Sequence, residues 1–295
     1  MSSPTQIAEP AREPVVSSTG QLRERRSVAI ESAHGRLPRP DFAELWAYRE
    51  LARALAARDL KLRYKQTVLG AAWAVIQPVT AALIFAAVFG RLAHLPSEGV
   101  PYIVFVYAAL CVWAYVSSSV EAAAESLVEN NKLVTTIYFP RLLAPVAAVL
   151  PGLVDFAVSL GILAGLMAIY GVTPSWQLLA FPFCVVGAVG LSLGVGAWLS
   201  ALNVLYRDVR YTFGFLLQLW LFASPVVYAA SLVQGDWRYL FAANPLVGLL
   251  NSFRWSLFGT PLSAADAVSL ATGALVLATG VLYFTRVERE LADRI

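Results

Sequence analysis

From Val68 to Phe89 the chain runs without a charged side chain, and the stretch just ahead of it holds Arg49, Arg53, Arg58, Lys61, Arg63 and Lys65. A membrane-spanning helix needs roughly 20 mostly apolar residues. Lys and Arg collect on its cytoplasmic flank because carrying them across is disfavoured. The pairing therefore predicts a first span with the N-terminus inside. Composition agrees: 58% of residues are hydrophobic and 14% charged, where soluble domains sit near about half and about a quarter. The pI near 8.9 does not point to nucleic acid, because the basic residues cluster at expected membrane edges.

Six segments have the length and apolarity to span, at about 68–90, 101–120, 142–170, 177–205, 212–233 and 264–285. The expected fold class is an all-α membrane protein with six transmembrane helices. Both termini then lie inside. Thirteen Lys and Arg flank the inner ends: the six above, then Lys132, Arg141, Arg207, Arg210, Arg286, Arg289 and Arg294. Arg91, Arg238 and Arg254 flank the outer ends, an asymmetry that supports the orientation. Residues 239–258, YLFAANPLVGLLNSFRWSLF, are interrupted by Asn244, Pro245, Asn251 and Arg254. They read as short re-entrant helices between the fifth and sixth spans.

The domain plan is a disordered cytoplasmic tail over 1–40, an amphipathic interface helix over 41–66, and a six-span domain over 67–290. Within the interface helix Leu45, Tyr48, Ala52 and Leu55 share a face, Arg49 and Arg53 share another, and Asp59 can pair with Arg63. Gly190 and Gly194 have the small-xxx-small spacing of close helix contacts. Cys111 and Cys184 fall inside apolar runs and read as packing residues. His34 and His94 are the two histidines, so no metal cluster or Ser/His/Asp set is visible. There is no phosphate-cradling Gly-x-x-x-x-Gly-Lys loop, so no catalytic residue is assigned. Asp155, inside the third span, is costly there and becomes a functional candidate. It is either a titrating group or a partner for a neighbouring helix. Glu121, Glu125 and Glu129 form an acidic stripe after the second span. Tyr102, Phe105, Tyr107, Trp176, Tyr228, Trp237 and Tyr239 form an expected outer aromatic belt. Residues 130–141, NNKLVTTIYFPR, read as a docking element anchored by Tyr138 and Phe139.

Five stretches carry a family resemblance: RDLKLRYKQTVLGAAW (58–73) with Gln77-Pro78, NNKLVTTIYFPR (130–141), NVLYRDVRY (203–211), SPVVY (224–228) and NPLVGLLNSFRW (244–255). In this order they resemble the membrane subunits of type-2 ABC exporters, the permeases that export O-antigen or teichoic-acid polysaccharides. The resemblance covers about residues 42–290. It implies a homodimer in the bacterial plasma membrane, bound to two copies of a separate ATPase that carries ATP and Mg. Its cargo would be a lipid-linked polysaccharide. Asn131, Lys132, Tyr138, Phe139, Pro140 and Arg141, with Arg58, Asp59, Arg63 and Tyr64, would couple to that ATPase. Asn203, Arg207 and Asp208 would support the cytoplasmic mouth. Trp73, Gln77, Phe85, Trp220 and Phe222 would line a conduit, with Tyr228, Asn244 and Pro245 toward an external gate. Phe139→Asp is expected to uncouple transport and leave the chain folded. Two other functions stay open: a type-2 exporter of a smaller drug or lipid, and a proton-coupled secondary transporter using Asp155. A transferase acting on lipid-linked sugars lacks acid–base residues.

Overall fold

The computed structural model describes residues 42–65, 71–136, 138–206, 208–233 and 235–291. The tail expected over 1–40, with Arg207 and Arg294, lies outside these residues, as do the side chains of Trp73 and Lys132. Among the described residues every regular element is helical. The segment expected as one interface helix forms α1 (Phe42–Ala47) and α2 (Arg49–Lys65). Then follow α3 (Ala71–Phe85), continued by a π-helical stretch Ala86–Leu92, and α4 (Tyr102–Glu129). After the short α5 (Asn131–Thr136) come α6 (Leu143–Val149) and α7 (Gly152–Ile169). The remaining helices are α8 (Phe181–Leu205), α9 (Val209–Phe222), α10 (Trp237–Ala242), α11 (Pro245–Phe258) and α12 (Ala264–Leu291).

Five helical segments are long and apolar enough to cross a membrane: Val75–Leu92, Tyr102–Glu129, Leu143–Ile169, Trp176–Leu205 and Ala264–Glu288. They match the first four and the last of the expected spans. The segment expected as a fifth of six gives α9, whose 14 residues reach about 21 Å, short of a hydrocarbon core of about 30 Å. The chain leaves the helix at Ala223. Pro225 has no N–H to continue the ladder and disfavours helical backbone at Ser224. The expected third span bends between α6 and α7, where Pro151 sits at the junction.

Burial is concentrated in one place. Of the most apolar window of α4, 78% is buried, against 11% for the first span and 17% for the last. A helix that is apolar all round needs an apolar neighbour on every side. α4 finds it in protein, packing on α3, α6, α7 and α8, while α3 and α12 leave Ile76, Leu83, Ile84, Leu275 and Leu282 on the outside. Lipid is as apolar as leucine, so those faces gain nothing by closing over. Two residues of the expected aromatic belt belong to this core: Phe105 and Tyr107 are fully buried, because α4 is the central helix and not a peripheral one. Trp176 and Trp237 are exposed as expected.

Without a hydrophobic drive between helices, close backbone approach does the packing. A Cβ built on Gly280 of α12 would lie 2.1 Å from the carbonyl oxygen of Gly194, and one on Gly194 would lie 2.6 Å from Cα of Leu277. Gly194 thus serves an intramolecular contact between α8 and α12. Gly280→Ala should force the two backbones apart and cost about 1–3 kcal/mol, read as a lowered thermal midpoint of the detergent-solubilised protein. Gly161→Ala, in the interior of α7 with nothing within 4 Å of the new Cβ, is the control and should hold or slightly raise the midpoint.

Candidate functional site

The C-terminal end of α4 carries a platform. The apolar face of α2 supplies Ala52 and Leu55, which are buried against Leu127, Phe139, Leu143 and Phe284. The face expected from helical spacing therefore packs on protein. Polar bonds then fix α2 in place. The Arg58 guanidinium donates to Asn130 Oδ1 at 2.7 Å and to Asp59 Oδ1 at 2.9 Å. Asn130 in turn donates to the Ser126 carbonyl at 2.8 Å, so the tie runs into the last turn of α4.

One turn further along α2, Arg63 and Tyr64 both reach Asp155 on α7. Arg63 Nη1 donates to Asp155 Oδ2 at 2.5 Å, and the Tyr64 hydroxyl donates to Oδ1. Asp155 lies in the first turn of α7, where the helix dipole favours a carboxylate. Partial burial and the bond to Asp155 push the Tyr64 hydroxyl up to about 12, so it keeps its proton and acts as the donor. The expensive carboxylate of the expected third span is thus paired with α2. Asp155 also lines a cavity of about 410 Å³ between α3, α4, α7 and α9, together with Gln77, Phe85 and Trp113.

The segment after α5 splits the two aromatic anchors expected there. Tyr138 is 79% exposed, and Phe139 is 4% exposed in the core beneath it. Arg141 closes the element: its backbone N–H donates to Glu288 Oε1 at 2.7 Å and its guanidinium to the Glu288 carbonyl at 3.0 Å. Pro140 sits between them, half-buried, and Asn131 is exposed at the start of α5. The coupling candidates Arg58, Asp59, Arg63, Tyr64, Asn131 and 138–141 therefore come together at one end of α4. Burial of Phe139 corrects one expectation: Phe139→Asp would place a carboxylate in this core and could not leave the fold intact.

Of the expected mouth residues, Asn203 and Asp208 are described. Asn203 is buried and donates to the Ala124 carbonyl at 2.9 Å. Asp208 precedes α9, its carbonyl accepting from the N–H groups of Tyr211 and Thr212. The acidic stripe is engaged at Glu125, which accepts from Arg210 Nε at 3.0 Å.

The other end of α4 holds a second constellation. Asn244 caps α11, accepting from Leu246 N–H at 3.1 Å, and Pro245 follows at the favoured first position. Gly259, at φ 73°, ends the helix in the left-handed conformation. Asn244 also accepts from the Trp220 indole at 2.8 Å and donates to Ser224 Oγ at 2.9 Å, joining α11 to the end of α9. Trp220 stands edge-on to Trp113, 6.1 Å between centroids. Phe222 is exposed, and Tyr228 donates to its carbonyl at 3.4 Å. Gln77 and Phe85 thus line the cavity, Trp220 packs against its Trp113, and Tyr228, Asn244 and Pro245 belong to the turn after α9 and the start of α11.

Sequence reasoning missed the centre of that turn. Arg254, counted as an outer flanking charge, is 1% exposed. Its guanidinium donates to the carbonyls of Pro225 at 2.8 Å and Val226 at 2.9 Å, and its Nε to that of Phe105 at 3.4 Å. It lies 3.6 Å from the centroid of the Phe105 ring. The end of α9 frees the carbonyls that hold it. The available signal was an arginine inside an apolar run, which defaults to an interior position. Among the described residues no group of three or more His, Cys, Asp or Glu is arranged to hold a metal ion.

A family model described as ABC-2 type transporter matches residues 50–258. The O-antigen export system permease protein RfbA of Myxococcus xanthus is 31% identical over 260 residues, covering 85% of this chain and 98% of that protein. A protein of the same name from Klebsiella pneumoniae is 25% identical over 247 residues, covering 83% and 94%.

Two outcomes follow from the burial pattern. Phe139→Asp should destabilise the protein by at least about 3 kcal/mol, whereas Tyr138→Ala should stay within about 0.5 kcal/mol; thermal unfolding in detergent compares them. Arg254→Lys should cost about 2–4 kcal/mol, because one ammonium cannot reproduce the forked contact to three carbonyls. An unchanged midpoint for that variant would remove Arg254 from its structural role.

Proposed function

This chain belongs to the ABC-2 type transporter family, and we propose that it is the permease subunit of an ATP-driven exporter of a lipid-linked cell-surface polysaccharide. Cargo is argued from the relatives: those named as O-antigen export permeases align along nearly their whole length with this chain. The lining of the 410 Å³ cavity suits a sugar polymer, since it mixes aromatic faces (Phe85, Trp113) with hydroxyl and amide groups (Ser117, Gln77). In this reading α9 together with the protein-buried turn at 223–229 makes the fifth of six passes, and α10 and α11 form a re-entrant cap on the outer side. Both termini face the cytoplasm of a bacterial plasma membrane, an orientation supported by the basic flank at 49–65.

Energy enters through a partner. The permease pairs with a second copy of itself and with two ATPase subunits, which hold ATP and Mg. The observation that carries this reading is Tyr138, an exposed aromatic seated on a core that connects α2, α6, α8 and α12. Exposed aromatics on rigid supports are the usual anchors of protein interfaces. ATP binding shifts the ATPase between states, and only its differential affinity for those states can do work on the permease. A proton relay through Asp155 gains no support, because both carboxylate oxygens are engaged by Arg63 and Tyr64.

Tyr138→Ala should weaken docking of the ATPase by about 2 kcal/mol, or about thirtyfold, without lowering the amount of folded permease. Surface polysaccharide should fall accordingly in cells carrying the variant as the sole copy. Wild-type surface polymer together with wild-type copurification of the ATPase would remove Tyr138 from coupling.

A further inference from the structure

The Arg63–Asp155 pair stands where two cavities meet. The 410 Å³ cavity described above is lined by Asp155, Ser117 and Ser159. A second cavity, of about 280 Å³, lies toward the end of α4 and is lined by Asp59, Arg63, Glu125, Glu129 and Asn130. Ser118 and Glu121 of α4 line both. The two spaces therefore share a wall on α4. Across from it, the guanidinium of Arg63 belongs to the outer space and the carboxylate it binds belongs to the inner one. Tyr64 closes on the second oxygen of the same carboxylate.

We propose that the contact of Arg63 and Tyr64 with Asp155 is a gate between the inner cavity and the vestibule on the α2 side. Four features argue for a gate over a fixed strut. The pair is partly exposed, with side-chain accessibilities of 36% for Arg63 and 23% for Asp155, so water is present to solvate both charges when they part. Such a pair is held by a modest free energy, in contrast to the fully buried Arg254. Glu121 and Glu129 stand exposed on the vestibule side, where a released Arg63 finds other carboxylates. Finally, the two halves sit on different elements, α2 and α7. A displacement of α2, which is tied separately to α4 through Arg58 and Asn130, is felt directly at the cavity wall. Asp155 and Arg63 are thus positioning residues for passage of cargo. The proposal rests on the exporter reading for its purpose, but its geometry does not.

Cysteine accessibility separates the two. Cys111 lines the inner cavity, so the test uses S117C in a C111A/C184A background, assembled with its ATPase in inside-out membrane vesicles. A membrane-impermeant maleimide reports access from the α2 side. D155N and R63Q should each speed labelling about three- to fivefold, the effect of losing a partly exposed ion pair. The charge-swapped R63D/D155R should return it toward the parent rate. R63Q alters an exposed side chain, so it keeps the test valid if D155N folds poorly. Equal labelling in the parent and both single variants, or a swap as fast as the singles, would overturn the gate. Polymer export measured in the same vesicles with and without ATP tests the exporter reading by itself. Faster labelling combined with ATP-independent export would leave the gate standing and sink that reading.

Discussion

Everything in this structure is arranged around a central helix, α4, whose charged side chains are confined to its second half. The first half of α4, residues 102–115, is apolar around its circumference, and a bilayer offers it no reward for choosing lipid or protein. The helix is buried because neighbours can approach it closely: α8 meets it where a Cβ on Gly196 would lie 2.4 Å from the Cβ of Ala123. Arginines from other helices then meet α4 near its two ends. At one end Arg254 gathers carbonyls from α4 and from the turn after α9. At the other, Asn130 receives Arg58 from α2. A movement imposed on α2 therefore reaches one end of a helix about 42 Å long, whose far end is held by Arg254.

The two ends differ in kind, and the difference suits their proposed tasks. Around Arg254 the bonds are fully enclosed, and breaking them would strand a charge in the interior. That end is built to hold its shape. Around Asp155 the charges are partly wet, carried on separate helices, and adjacent to a cavity. That end is built to change. An exporter worked from one side by a partner protein needs this asymmetry, since the docking surface must yield while the far end keeps the path defined.

The sequence revealed the spanning segments best where charge-free runs were long, as from Val68 to Phe89, because hydrophobic length alone decides insertion. It overestimated the fifth segment, since residues 212–233 stay apolar past the point where Pro225 stops the helix. The buried face of α2 was legible from the spacing of Ala52 and Leu55. Its partners were not: Arg63 and Asp155 are 92 residues apart, and periodicity carries no information about which distant carboxylate an arginine will meet. Tyr138 and Phe139 show the same limit at short range. Adjacent aromatics in an amphipathic element look alike in sequence, and only the fold sends one into the core and leaves the other on the surface. Arg254 was misplaced because a flanking-charge count treats every arginine near a span as wet.

The central claim is that this chain forms the passage and a separate ATPase supplies the work. Its most direct test is translocation of a fluorescent lipid-linked polysaccharide in proteoliposomes containing the permease alone or the permease with its ATPase partner. The account predicts transfer of polymer only when the ATPase and hydrolysable ATP are both present. Sustained transfer by the permease alone, against a polymer gradient, would contradict it.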